Sequence, residues 1–161
     1  LNFAHSRLRR VKAENLLDCI STVTETKEKF RGLPVGARAT QIADGRTSNY
    51  FLSTFGRSSR DTVCSCDVKT EPTLSQALHL INGSSAHAKI AQGGIVKRML
   101  DEEKTPQDVV RSLYVRCLSR QPTPPEEEKL LAMVDAAENK QMALEDVFWA
   151  LLNSREFIFN H

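Results

Sequence analysis

Cys64, Cys66 and Asp67, with His79 further along, are the residues whose types and spacing could do chemistry. Two thiolates, a carboxylate and an imidazole are donors of the kind zinc takes four at a time. His87 and His5 are further imidazoles that could complete such a set. The Cys-x-Cys spacing is tighter than the usual Cys-x2-4-Cys of structural zinc, and no second cysteine pair follows. A redox pair is the second reading, since one intervening residue would strain a mutual disulfide and make it labile. Buried thiols, or ordinary disulfides that pin the surrounding chain, are the third. The residues alone leave all three open.

Other chemistries find little support. Nucleophilic catalysis needs a Ser or Cys beside a positioned His and an orienting acid, and no Gly-x-Ser-x-Gly elbow occurs. Asp101, Glu102 and Glu103 read as an exposed helix end rather than as paired carboxylates for acid–base work. Gly93-Gly94 lacks the fuller glycine pattern and the preceding strand of a phosphate-cradling loop. Cys-x-x-Cys-His is absent, so no covalent c-type haem site is present. No catalytic and no cofactor-binding residue is therefore assigned. The basic run Arg7, Arg9, Arg10 and Lys12 reads as a solvated face or as a contact surface for a partner.

The elements that must position these residues are mostly helical. Leu74, Ala77, Leu78 and Ile81 recur at offsets of three and four, which predicts a buried helix over Pro72 to Ser85 between a first-turn proline and Gly83. Before it, Leu16, Leu17, Ile20 and Val23 predict a helix from Ala13 to about Thr24, with Cys19 as a small core residue. From Thr26 to Glu71 no helical period is sustained. So long an irregular segment is usually functional or disordered, but its aromatics argue for an ordered arm anchored on the core. Within it a short strand is expected at Ala37 to Ile42, and a short helix from about Ser48 to Phe55 ending at Gly56.

After the central helix, Ala86 to Gln92 reads as a further helical stretch broken by Gly93-Gly94, which marks a break or a tight crossing. Ile95 to Glu103 then resumes. Thr105-Pro106 caps a helix carrying Val109, Val110, Leu113, Tyr114, Cys117 and Leu118, with Cys117 in the core. Thr123 and Glu126 form a capping box, and Glu126, Glu127 and Glu128 complement the dipole of the helix they open. A last helix, about Ala143 to Glu156, buries Leu144, Val147, Phe148, Leu151 and Leu152, with Trp149 at its rim.

The 161 residues suit one domain, and neither disorder nor a membrane span is indicated by 40% hydrophobic and 26% charged residues. A net charge of +2 does not argue for nucleic acid. The expected fold is all-α, about six helices in an irregular bundle with the arm of about 26–71 packed across it. A start at Leu1 without a leader reads as a fragment.

The ordered series AENLLDCIS, RDTVCSCDVKTEPTLSQALHLING, LYVRCLSRQPTPPEE and ALEDVFWALLNSREFIFNH resembles the planctomycete-specific C-terminal domain of unknown function. That domain occurs in large, predicted exported proteins with a cytochrome c-like module upstream. The resemblance implies an exported setting, a haem that belongs to another domain, and upstream domains of the same polypeptide or another protein as partners. It transfers no catalytic residue. Outside the cytosol disulfides persist, which favours Cys64 or Cys66 bonded to a distant cysteine. The reading is an accessory interaction module without catalysis of its own. The alternative is a metal- or thiol-dependent half-site around Cys64, Cys66, Asp67 and His79, completed by other domains.

Overall fold

Helix α1 (Ala13–Val23) buries Ala13, Leu16, Leu17 and Ile20 along one stripe. A computed structural model of the protein describes residues 9–43, 49–57 and 84–160. The predicted central helix of Pro72 to Ser85 lies outside the described residues except at its last two. Cys19 is exposed rather than in the core. At about 100° per residue it falls off the stripe that Leu16 and Ile20 define, although it neighbours both in sequence.

The first part of the arm is ordered without being regular. The expected strand at Ala37 to Ile42 is instead a single 3₁₀ turn, Ala39–Gln41. Its amides find their acceptor in Asp18 of α1: the carboxylate accepts from the backbone N–H of Ala39 (2.6 Å) and of Thr40 (3.2 Å), and from the Thr40 hydroxyl (2.9 Å). A side chain thus supplies what a partner strand would have supplied. Phe30, Ala39 and Ile42 are buried beneath. Helix α2 (Tyr50–Thr54) is capped by Asn49, whose side chain accepts from the Leu52 N–H at 3.1 Å, and Gly56 follows at φ 78°. It buries Phe51 and Leu52, and Phe55 stacks on Phe51 with ring centroids 4.3 Å apart.

Helix α3 (Ser84–Gly93) and helix α4 (Ile95–Asp101) meet at Gly94, whose φ of 59° is left-handed. The pair is both a break and a crossing. Gly93 passes so close to the end of α1 that a Cβ there would overlap the carbonyl oxygen of Thr24, itself fully buried. Helix α5 (Pro106–Leu118) opens on the predicted Thr105 cap, which accepts from the Asp108 N–H at 3.2 Å. Helix α6 (Pro124–Ala136) opens on Thr123, whose N–H (2.7 Å) and hydroxyl (2.8 Å) both donate to Glu126.

Helix α7 (Lys140–Leu152) is the hub, packing against α3, α4, α5 and α6. Leu144, Val147, Phe148, Leu151 and Leu152 bury its inner side, as their spacing predicts. It ends before the expected Glu156. Asn153 closes it, and Ser154 caps a new short helix, α8 (Arg155–Ile158), by accepting from the Phe157 N–H at 3.2 Å. The apolar tail then becomes a two-residue strand, β2 (Phe159–Asn160), antiparallel to β1 (Arg9–Arg10). A hydrogen bond from Val11 N–H to the Ile158 carbonyl (2.9 Å) extends the pairing. The architecture is an all-helical bundle with this small two-ended clasp. Among the described residues no helix is long and apolar enough to cross a membrane.

Candidate functional site

An open groove of about 1170 Å³ lies between the turn after α1 and helices α4 and α5. Ile95, Met99 and Val115 supply its apolar lining, and Val115 is 47% exposed. Charged side chains surround them. Glu25, just past α1 in a left-handed conformation with φ 56°, accepts from Arg98 of α4 and, at 2.8 Å, from Arg116 of α5. Arg116 also donates to the Val23 carbonyl at 3.3 Å. The hydrogen bonds from Arg98 and then Arg116 hold the Glu25 carboxyl below the usual carboxylate range, so it is ionised across the neutral range.

At the other end of the groove the charges are paired off. Lys104 meets Glu102 at 3.0 Å, Arg111 grips Glu127 through two bonds of 2.5 and 3.1 Å, and Asp108 is held by the Thr105 cap. Beyond it, Arg120 forks to Glu126 and Glu156 with bonds of 2.8 to 2.9 Å and lies over the Tyr114 ring at 5.2 Å. Glu126 and Glu127 at the start of α6 are thus committed to structure, as their helix-opening position predicts.

A second, smaller cavity of about 250 Å³ lies between α1, α2, α3 and the end of α7. Leu17, Ile20, Phe51 and Leu152 give it apolar walls. On one side Lys89 pairs with Glu28 and donates to Ser21 and Thr26, each at 3.3 Å. Those contacts use the three donors of the ammonium group, so Lys89 is satisfied where it sits. This cluster ties the turn after α1 to α3.

A family model described as PSD1, protein of unknown function (DUF1553), matches residues 2–134. The chain belongs to this family. No curated protein and no solved structure matches it.

In this PSD1 chain the sequence-predicted chemistry is distributed unevenly over the structure. Cys64, Cys66, Asp67 and His79 lie outside the described residues, as do Arg7 and His5. His87 is exposed and stacks on Trp149, with centroids 5.3 Å apart and planes 10° from parallel. No group of three or more His, Cys, Asp or Glu is arranged to hold a metal ion among the described residues. Cys117 is mostly buried, and burial pushes its thiol up to about 12.

Of the basic run, Arg9 contributes backbone to β1, and Lys12 is exposed. Arg10 turns inward, donating to the Phe55 carbonyl at 2.7 Å and lying over the Phe55 ring at 5.6 Å. The groove residues Glu25, Arg98 and Arg116 were missed by sequence reasoning. They are far apart in the chain, and neither their types nor any spacing connects them; the close approach of Gly93 to the end of α1 and the packing of α4 on α5 bring them together.

Proposed function

We propose that this PSD1 domain is an interaction module without catalysis of its own, docking against neighbouring domains of a multidomain exported protein or against a separate partner. The observation that carries the reading is the open groove: apolar residues, one of them half exposed, ringed by charged side chains. Protein interfaces have this anatomy, an apolar centre with a polar, hydrated rim. Titratable groups around it are spent on caps and ion pairs with each other, a pattern that suits recognition. The family resemblance supplies the setting, with export and any haem belonging to the parent protein.

The test is calorimetric titration of the 161-residue chain with the neighbouring domains of its parent polypeptide, expressed separately. Saturable binding that weakens at least tenfold in Val115→Glu is expected. Val115 is exposed on α5, so this substitution should leave the fold intact to within about 0.5 kcal/mol. Absence of binding, or binding indifferent to Val115→Glu, overturns the assignment of the groove.

A further inference from the structure

The groove's two ends differ in charge, and the difference names the partner's chemistry. At the α6 end each cation has an acidic partner. At the α1 end two guanidinium groups, Arg98 and Arg116, share the single carboxylate of Glu25. Two positive charges against one leave that end net positive. The arginine side chains are 55% and 34% exposed. A guanidinium has five N–H donors in a planar fork suited to bidentate recognition of a carboxylate. Here Arg98 spends one nitrogen on Glu25, and Arg116 spends one on Glu25 and the Val23 carbonyl. The ion pairs that hold them are surface pairs, screened by solvent and individually weak. A second carboxylate arriving in the groove can therefore share or displace Glu25 at small cost, while the apolar lining of Met99 and Val115 lies beside it.

We propose that the Arg98–Glu25–Arg116 end of the groove receives an acidic side chain of a partner segment that also presents an apolar residue to Met99 and Val115. The inference rests on the interaction-module reading and adds the chemistry of what is recognised. Glu25 is then an internal placeholder. It keeps two like charges together in the unbound domain, and it competes with the incoming carboxylate.

The placeholder role gives the experiment a direction that a merely structural pair would not show. The probe is a fluorescein-labelled, acetylated peptide of alternating glutamate and leucine, compared with the same peptide carrying glutamine or lysine in place of glutamate. Anisotropy is read at 50 mM and 500 mM salt. The glutamate peptide is expected to bind, to weaken at high salt, and to lose at least tenfold in affinity in the Arg98→Ala/Arg116→Ala variant. In Glu25→Gln, which leaves both guanidinium groups to the peptide, binding is expected to tighten threefold to tenfold with the helical circular dichroism unchanged.

Equal binding of all three peptides, or a Glu25→Gln variant that binds no better than wild type, overturns the proposal. If neighbouring domains bind in a Val115-dependent manner while the arginine and Glu25 substitutions change nothing, this inference fails and the module reading stands. If neither domain nor peptide binds, both fail.

Discussion

Glu126 shows how much one side chain can be asked to do at the opening of a helix. Arg120, followed by the Thr123 amide and hydroxyl, lowers its carboxyl to about 2. A carboxyl whose folded value lies below its unfolded one, near 4.5, contributes stability that is complete above that unfolded value and lost as pH falls towards about 2. Glu126→Gln keeps an acceptor for the Thr123 amide but loses the charge paired with Arg120, so it should lower the melting temperature at pH 7 by an amount worth up to about 1 kcal/mol. The gap to wild type should close between pH 4.5 and 2. A gap that persists at pH 2 would mean the side chain acts through packing. Gly93 is the second residue with no freedom. Gly93→Ala adds a methyl where the Thr24 carbonyl stands, so α3 must lift from α1. A cost of about 1–3 kcal/mol in chemical denaturation is expected, opposite in sign to the usual gain in helix propensity of alanine over glycine.

At the scale of elements, legibility in the sequence follows locality. The caps at Thr105 and Thr123, the proline first turns and the stripes of α5 and α7 are carried by residues within a few positions of one another, and each is found where spacing predicts. The Ala37 to Ile42 segment fails this condition. A short strand is expected there, but the acceptor for its amides is Asp18, on a helix earlier in the chain. The last helix fails likewise: it is expected to run to about Glu156, but it ends at Leu152, and the Ser154 cap and the pairing with Arg9–Arg10 redirect the chain. The candidate groove is the extreme case, because nothing within reach of Glu25 in sequence predicts Arg98 or Arg116. The Asp18 contact is testable on its own. Asp18→Ala removes three hydrogen bonds to one turn, so amide exchange at residues 39–42 should accelerate well beyond the global change, at a stability cost of about 1–3 kcal/mol. Uniform acceleration along the whole chain would show instead that the turn opens only with the bundle.

For the molecule as a whole the question is whether the arm is an appendage or part of the body. Phe30 and Ile42 from the loop, Phe51 from α2 and Phe55 just past it, and Leu113, Leu144 and Phe148 from the bundle belong to one contiguous core. Residues that share a core unfold together when the cost of opening one part exposes the other. Phe30 is nearly fully buried, and its truncation to alanine removes apolar contact and leaves a void, a loss of about 3–5 kcal/mol. For a chain of this length that corresponds to a melting shift on the order of 10 °C. The informative probe is Trp149, which sits on α7 and in the bundle rather than the arm. In Phe30→Ala its fluorescence transition should fall by the same amount as the far-ultraviolet circular dichroism, the two remaining coincident. If the Trp149 transition stays at the wild-type temperature while part of the helical signal melts early, the arm folds on the bundle as a separate layer. The groove, walled by α4 and α5 of the bundle but held at one end by Glu25 at the root of the arm, would then loosen before its walls do.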